Sequence, residues 1–172
     1  GETVALDDYI DLDTARAAYE RGDCAGLAAD TTVLAGQRLL LAEPQEHVVL
    51  EEVMSREPLA PVVRHGDSNW LNVVNWVVQC TLNAEYLGVS QRNVNRMRDA
   101  EDIRIQRLLG ETGDLGQGLG LENDFCYQVV AQVGNYDEIY SRNLGPSTPY
   151  GLPRGLNALF DEDGLHYPLP FR

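Results

Sequence analysis

An acidic residue, Asp30, lies between a short apolar segment and a helical pattern, a position where a carboxylate can bind a cationic ligand. Residues 25–29 are apolar, too few for a helix, and follow Gly22, which favours a short buried strand. Residues 32–42 then carry apolar side chains at helical spacing. Because small ligands bind at the carboxyl ends of strands in open α/β sheets, Asp30 is a candidate ligand-binding residue. The alternative is that its side chain only caps the helix, and the two roles are compatible.

Residues typical of catalytic sites occur here in patterns that favour no enzyme. The serines lack the Gly-x-Ser-x-Gly setting of a strained nucleophile. His65 near Asp67 is interpreted as a surface pair, and adjacent carboxylates such as Glu51 and Glu52 lie in turns that look exposed. The glycines within residues 113–120 match neither a P-loop nor a dinucleotide fingerprint, which predicts a turn before a helix. We therefore predict no catalytic residues and no cofactor.

Composition and charge exclude several partners. The chain has 172 residues, 44% of them hydrophobic, which is enough to bury a sizeable core. A net charge of −14, from 27 acidic and 13 basic residues, repels phosphate backbones, so we predict no nucleic-acid partner. The sequence holds no apolar run long enough for a membrane helix. The first residues, 1–4, lack the basic and apolar regions of a signal peptide, so we expect any such leader to be absent from this chain.

The three cysteines do not form a metal or redox motif. They are far apart and lack Cys-x-x-Cys or nearby histidine spacing, so no metal site is predicted. Cys80 and Cys126 fall within helical patterns and are interpreted as small core residues. Cys24 lies at a turn, where a bond to a partner outside this chain is one possibility.

The first third of the chain alternates between helical and strand patterns. Asp13 is the predicted cap of a helix that ends at Gly22, and residues 4–6, 25–29 and 47–53 are predicted strands. Alternating strands and helices with short connections predict an α/β fold with a parallel sheet. Residues 54–61 contain two prolines and a charge cluster, which favours an extended crossing between two lobes.

The remainder of the chain is predicted to be mainly helical. The predicted helices cover residues 69–87, capped by Asp67 or Ser68 and ended by Gly88, then 93–99, 101–109, 123–133 and 137–143. Residues 155–170 are predicted to form a tail packed on the core. One helix carries a stripe of side-chain amides, which faces either water or a protein partner. The amide stripe consists of Asn69, Asn72, Asn75, Gln79 and Asn83.

Ordered motifs run through nearly the whole chain. They are Ala18-Tyr19, Gly22-x-Cys24, Asp30, and residues 35–39, 57–67 with Trp70, 83–89, 107–110, 116–121, 132–138, 142–145 and 154–159. In these motifs the chain resembles the family 3 extracellular solute-binding proteins of bacterial ABC importers, specifically the general L-amino-acid-binding branch. The resemblance implies a type II periplasmic-binding-protein fold that closes on an L-amino acid and delivers it to a membrane permease. It also implies a periplasmic location.

Members of that family are about twice as long, and this chain resembles their C-terminal half. We therefore expect an incomplete α/β fold with three parts: 1–53 as partial lobe 2, 54–61 as the hinge crossing, and 62–172 as the mainly helical part of lobe 1. The resemblance implies that Asp30 binds the ligand's α-amino group, a role that suits a carboxylate. Thr31 follows it where the family often has another polar or basic residue, and we include Thr31 in the predicted site.

The absent half would carry the groups that hold the ligand's α-carboxylate and the half-cystine expected to pair with Cys24. The predicted function is therefore the amino-acid-binding component of an ABC importer, or a truncated form of it. The alternative is an assembly protein that dimerises or pairs with a separate N-terminal half, because an incomplete sheet exposes its edges. An enzyme on the same fold is the third class, and the absence of an acid–base pair argues against it.

Overall fold

The computed structural model describes residues 4–171, which form seven α-helices and very little β-structure. The helices are α1 (Leu12–Glu20), α2 (Thr31–Arg38), α3 (Ser68–Tyr86), α4 (Val94–Met97), α5 (Ile103–Leu108), α6 (Phe125–Val133) and α7 (Tyr136–Asn143). Short 3₁₀ turns occur at Pro44–Glu46, Gln117–Leu119, Gly155–Asn157 and Phe160–Glu162. Residues 1–3 and 172, at the outer ends of the predicted segments 1–53 and 62–172, lie outside the described residues. No helix in the described part has the length and apolar character needed to cross a bilayer.

The chain divides into two compact units, each with its own contacts. Unit 1 consists of the chain through Pro58 together with Pro149–Gly151. Unit 2 consists of Leu59–Thr148 and the chain from Leu152 onward.

In unit 1, α1 begins two residues earlier than the sequence predicts. Its cap is Asp11, whose side chain accepts a 2.8 Å hydrogen bond from the Thr14 backbone N–H, whereas we predicted Asp13. Asp13 instead lies in the first turn, where an acidic side chain is favoured by the partial positive charge of the helix N-terminus. Gly22, at a φ of +79°, follows the helix as predicted. The second helix, α2, is shorter than the predicted 32–42 because the chain turns at Leu39–Leu41.

The three predicted strands are wrong for this chain. Residues 4–6, 25–29 and 47–53 adopt no strand, and within residues 4–171 the one β-bridge joins Leu159 to His166. A strand is defined by ladder hydrogen bonds to a neighbour, so an apolar segment cannot form one without an adjacent segment to pair with. The apolar pattern of residues 25–29 is local, whereas a strand also requires a second segment to pair with.

Unit 2 has a hydrophobic core formed by buried side chains of its helices and of the segments between them. Its longest helix, α3, begins at the predicted cap, since Asp67 accepts a 2.9 Å hydrogen bond from the Trp70 N–H. It ends before Gly88, whose φ of +68° suits glycine. The largest fully buried side chains of unit 2 lie on and between α3, α4, α5 and α6. They are Leu108, Leu109, Val89, Val94, Val130, Cys80 and Cys126.

The shorter helices of unit 2 are confirmed, with every end within two residues of the predicted one. Helix α7 begins with a capping box in which Asn135 and Glu138 each bond the other's backbone N–H at 2.9 Å. Asn135 also donates to the Val89 carbonyl at 2.9 Å, which ties this cap to the segment that follows α3. The glycine-rich segment is the predicted turn, bridged by the Asn123 side chain to the backbone of Gly113 and Gly116.

The predicted packing of the C-terminal tail is confirmed, and it accounts for part of the amide stripe. Asn83 is buried, and Gln79 and Asn83 both bond the backbone of Leu169. Asn69, Asn72 and Asn75 remain exposed. The amide stripe therefore has two parts: its N-terminal amides face solvent, and its C-terminal amides bind the chain's own tail.

Candidate functional site

Asp30 lies immediately before α2, with its side chain free. It occupies the N-cap position, and its backbone carbonyl accepts the first helical bond from Leu34 N–H at 2.9 Å. Its carboxylate makes no capping hydrogen bond in the described structure, and the residue is exposed. The sequence left open whether the Asp30 side chain caps α2, and in the structure it does not. Both carboxylate oxygens are available to a ligand.

The helix that follows Asp30 is held firmly within unit 1. Ala35, on the inner face of α2, is fully buried. Gln37 accepts a 2.7 Å hydrogen bond from Arg16 of α1, and Arg38 donates to the Tyr150 carbonyl at 3.0 Å. These contacts fix the direction of α2, and with it the position of Asp30 at its N-terminal end.

The arrangement of Asp30 and Thr31 suits an ammonium group better than an anion. An ionised carboxylate is favoured at a helix N-terminus, and it forms short, strong hydrogen bonds with cationic donors. Thr31 is the first residue of α2 and is also exposed, so its hydroxyl is accessible beside the carboxylate. Hydroxyl and carboxylate together offer several acceptors and one rotatable donor. That inventory suits a cationic group that can also accept or donate a hydrogen bond.

No cluster of three or more His, Cys, Asp or Glu side chains in residues 4–171 is arranged to hold a metal ion. Cys24 is half-buried and unpaired by any other cysteine of the chain. His47, in unit 1, is engaged by the Tyr19 hydroxyl at 2.7 Å.

A disulfide between Cys80 and Cys126 corrects our interpretation of these residues as separate core side chains. Their Cα atoms lie 5.5 Å apart, and both residues are fully buried between α3 and α6. Both cysteines lie in helical patterns with apolar neighbours, and that shared setting was the available signal. Their pairing itself depends on how the two helices pack.

A second feature missed at the sequence level is an ionic cluster in unit 2. Arg154 contacts Glu85 at 2.9 Å and Asp137 at 2.7 Å, and its guanidinium lies over the rings of Tyr136 and Tyr140. Burial raises the pKa of the Glu85 carboxyl, although Arg154 opposes the shift. Glu85 is the one charged residue in the sequence of α3, and a lone charge in such a helix indicates a buried partner.

His166 borders the same cluster. Its ring meets the Tyr136 ring edge to face, with centroids 4.7 Å apart, and its Nε2 is buried without a partner among the described residues. Burial lowers the pKa of His166, and the nearby Arg154 cation lowers it further. The cluster joins α3, α7 and the tail, so we interpret it as structural.

Two curated relatives match nearly the whole chain. This chain is 42% identical over 166 residues to the general L-amino acid-binding periplasmic protein AapJ of Rhizobium johnstonii. The aligned region covers 95% of this chain and 49% of that protein. This chain is also 41% identical over 155 residues to the glutamate/glutamine/aspartate/asparagine-binding protein BztA of Rhodobacter capsulatus. The aligned region covers 90% of this chain and 46% of that protein. No family model matches the chain.

A solved structure gives the same result for the fold. It is a periplasmic binding protein of an ABC transporter from Brucella ovis, with glutathione bound, which superposes with a TM-score of 0.86 at 42% identity. The superposition covers 95% of this chain and 52% of that one. The chain thus has part of a periplasmic-binding-protein fold.

The fold and the sequence matches together define a class, the periplasmic solute-binding proteins of ABC transporters. Within it, the chain is homologous to the amino-acid-binding members, as its motifs predict. These relatives are named as binding proteins and not as enzymes, in agreement with the predicted function class. The chain spans about half the length of the curated relatives it matches.

Proposed function

We propose that this chain is the C-terminal half, or a truncated form, of an L-amino-acid-binding protein that serves an ABC importer in the periplasm. The observation that carries the proposal is the free, exposed carboxylate of Asp30 at the start of α2, in a chain homologous to amino-acid-binding proteins. In this role Asp30 binds the α-amino group of the ligand, and Thr31 lies beside it.

The charge of the chain limits what this half of the site can do alone. Asp30 attracts the ammonium group of an amino acid, whereas the ligand's α-carboxylate requires a cation or backbone N–H groups. A chain with a net charge of −14 attracts that carboxylate poorly. We therefore assign the α-carboxylate to groups of the other half of the protein, so that tight binding needs both halves.

The proposed fold is the type II periplasmic-binding-protein fold, with 1–53 as partial lobe 2, 54–61 as the hinge crossing and 62–172 as the helical part of lobe 1. Residues 54–61 are exposed throughout, and the boundary between the two units falls at Pro58. Both facts support a crossing there, because a segment with few contacts is where domains move. The partner that completes each lobe is the N-terminal half, and the complete protein docks on a membrane permease.

A chimaera tests the proposal directly. We would join the part of the Rhizobium relative that this chain does not cover to residues 1–172, and titrate the purified protein calorimetrically with L-glutamate, L-glutamine and L-alanine. Binding of at least one is expected, and Asp30→Asn should weaken it by about tenfold or more, because it removes a charged hydrogen bond. Asp8→Asn, at an exposed position of unit 1, is the matched control.

Two results would contradict the proposal at different points. A folded chimaera that binds none of the three amino acids would argue against the function. Binding that is unchanged by Asp30→Asn would argue against the role of Asp30 alone. The 172-residue chain titrated by itself should give little or no heat.

An assembly role is the second candidate, and exposed apolar side chains on α3 favour it. Trp70 and Leu71 are 53% and 52% exposed, near the start of that helix. Apolar side chains grouped in this way are typical of a surface that a partner covers. Light scattering on the isolated chain tests this role: a dimer is expected if the chain assembles with a second copy, and a compact monomer would count against assembly.

A further inference from the structure

The C-terminal strap, which we define as residues 167–171, lies across one face of α3. His166 is the last residue before it that is fixed by backbone bonds, donating to the Ala158 carbonyl and accepting from the Phe160 N–H. The strap itself forms no helix or strand. Pro168 and Pro170 fix their own φ angles and disfavour helical conformation in the residues before them, so the strap is pre-organised as an extended segment.

Side-chain amides of α3 bind the backbone of the strap at one peptide unit. The Leu169 N–H donates to Gln79 Oε1 at 2.8 Å, and the Leu169 carbonyl accepts from Asn83 Nδ2 at 2.8 Å. Gln79 and Asn83 are four residues apart, so they lie on the same face of the helix. Asn83 is held in place by a further 2.9 Å bond to the Gln79 carbonyl. The Leu169 side chain is 43% exposed, so its backbone is what α3 recognises.

Phe171 supplies the apolar anchor of the strap. Its ring meets Trp76 edge to face, with centroids 5.1 Å apart, and lies 6.5 Å from the ring of Phe125. Trp76 is three residues before Gln79, on the same face of α3. Edge-to-face aromatic pairs of this kind stabilise a contact beyond the area they bury. The amide pair and the aromatic pair are therefore adjacent on one helix.

The strap leaves space on both sides. A cavity of about 220 Å³ lies beside Asn83 and Tyr86, and one of about 520 Å³ lies beside Asn72 and Trp76. Pro170 and Phe171 line both. A groove thus follows one face of α3, with the strap across its middle.

We propose that this groove is a peptide-binding site for extended Pro-X-Pro-aromatic segments, with the chain's own strap as its resident ligand. Every contact described above is made by side chains of α3 and α6 to residues 169–171, and none depends on the covalent link at His166. Proline-rich segments bind aromatic-lined grooves because little conformational entropy is lost on binding. A separate peptide of the same sequence has the same donors, acceptor and ring to offer.

The test removes the aromatic anchor of the strap and supplies an intact strap as a separate molecule, which must compete with the weakened strap for the groove. Phe171→Ala is made in the full chain, in a Trp70→Phe background that leaves Trp76 as the one tryptophan of the two in the sequence. We expect a change in Trp76 fluorescence on this substitution, with the circular dichroism unchanged. Adding the peptide Tyr-Pro-Leu-Pro-Phe-Arg should then restore the fluorescence saturably, with one peptide bound per chain.

Two controls identify the groove as the binding site. The peptide with alanine in place of its phenylalanine should not bind. Asn83→Ala in the Phe171→Ala chain should weaken peptide binding by about tenfold, which corresponds to one hydrogen bond. Asn75→Ala, an exposed amide of the same stripe that does not touch the strap, should change it by less than about twofold.

Three outcomes would overturn the proposal. The first is no saturable binding by millimolar peptide to a folded Phe171→Ala chain. The second is binding that is equally sensitive to Asn83→Ala and Asn75→Ala. The third is loss of the folded state in the Phe171→Ala chain, because the strap would then be an inseparable part of the core and not an exchangeable ligand.

Discussion

Arg154 and Glu85 form an ion pair in which Nη2 lies 2.9 Å from Oε1, with only 17% and 9% of the two side chains exposed. The residues are 69 positions apart, so the pair joins the C-terminal segment to the end of α3. The second Glu85 oxygen is buried without a partner in the described part of the chain. Such a carboxylate depends strongly on its one cation.

Arg154→Met is expected to lower the free energy of unfolding by about 3 kcal/mol, because it leaves the Glu85 charge buried and uncompensated. The loss should be smaller at pH 5 than at pH 7, since Glu85, whose pKa is already raised by burial, then binds a proton more readily. Adding Glu85→Gln to Arg154→Met should recover part of the loss. Urea denaturation at both pH values measures these differences, and a loss independent of pH and of Glu85→Gln would contradict the role assigned to the pair.

His166 should make the stability of the chain depend on pH. Burial and Arg154 lower its pKa below the ordinary value of 6.5, so the unfolded chain binds the proton more readily than the folded one. Unfolding then takes up a proton, and stability falls as the pH drops below about 6.5. His166→Gln should flatten the curve of melting temperature against pH between roughly 5 and 7. His65→Gln, at an exposed position, should not, and the same slope in both variants would show that another group is responsible.

The Cys80–Cys126 disulfide should stabilise unit 2 mainly by restricting the unfolded chain. The two cysteines are 46 residues apart, and a loop of that size corresponds to a stabilisation of about 4 kcal/mol. Cys80→Ala with Cys126→Ala should lower the denaturation midpoint accordingly, and a reductant should have no further effect on that variant. Cys24→Ser, which leaves the disulfide intact, is the control. A double variant as stable as the parent chain would refute this account.

Two glycines of the turn before α6 should differ sharply in their tolerance of a side chain. A Cβ at Gly116 would collide with the Glu122 carbonyl, whereas a Cβ at Gly118 meets open space. Gly116→Ala should therefore lower the free energy of unfolding by about 1–3 kcal/mol or more, and Gly118→Ala should have little effect. Equal stabilities of the two variants in guanidinium denaturation would contradict the close approach of these backbone segments.

The helices of unit 2 could be predicted from the sequence because their signals are local. Asp67 and Gly88 mark the two ends of α3, and the residues between them have the required periodicity. Local signals failed for residues 25–29 and 47–53, where a strand needs a neighbour that the described chain does not provide. An apolar segment specifies a tendency to be buried, and its partner decides whether a strand forms.

The candidate site divides in the same way. The position of Asp30 before a helix was predicted from its neighbours, but the freedom of its side chain from capping was not, since both states share one sequence pattern. The Cys80–Cys126 bond and the Arg154–Glu85 pair were missed because each joins residues brought together only when α3 packs against later segments.

The contact of Phe171 with Trp76 and Phe125 has a consequence for biosynthesis. Translation adds residues in order, so Phe171 is made after Trp76 and Phe125, the residues whose rings it contacts. Until residue 171 is available, the rings of Trp76 and Phe125 lack this contact, and apolar surface that is uncovered in an incompletely folded chain promotes aggregation.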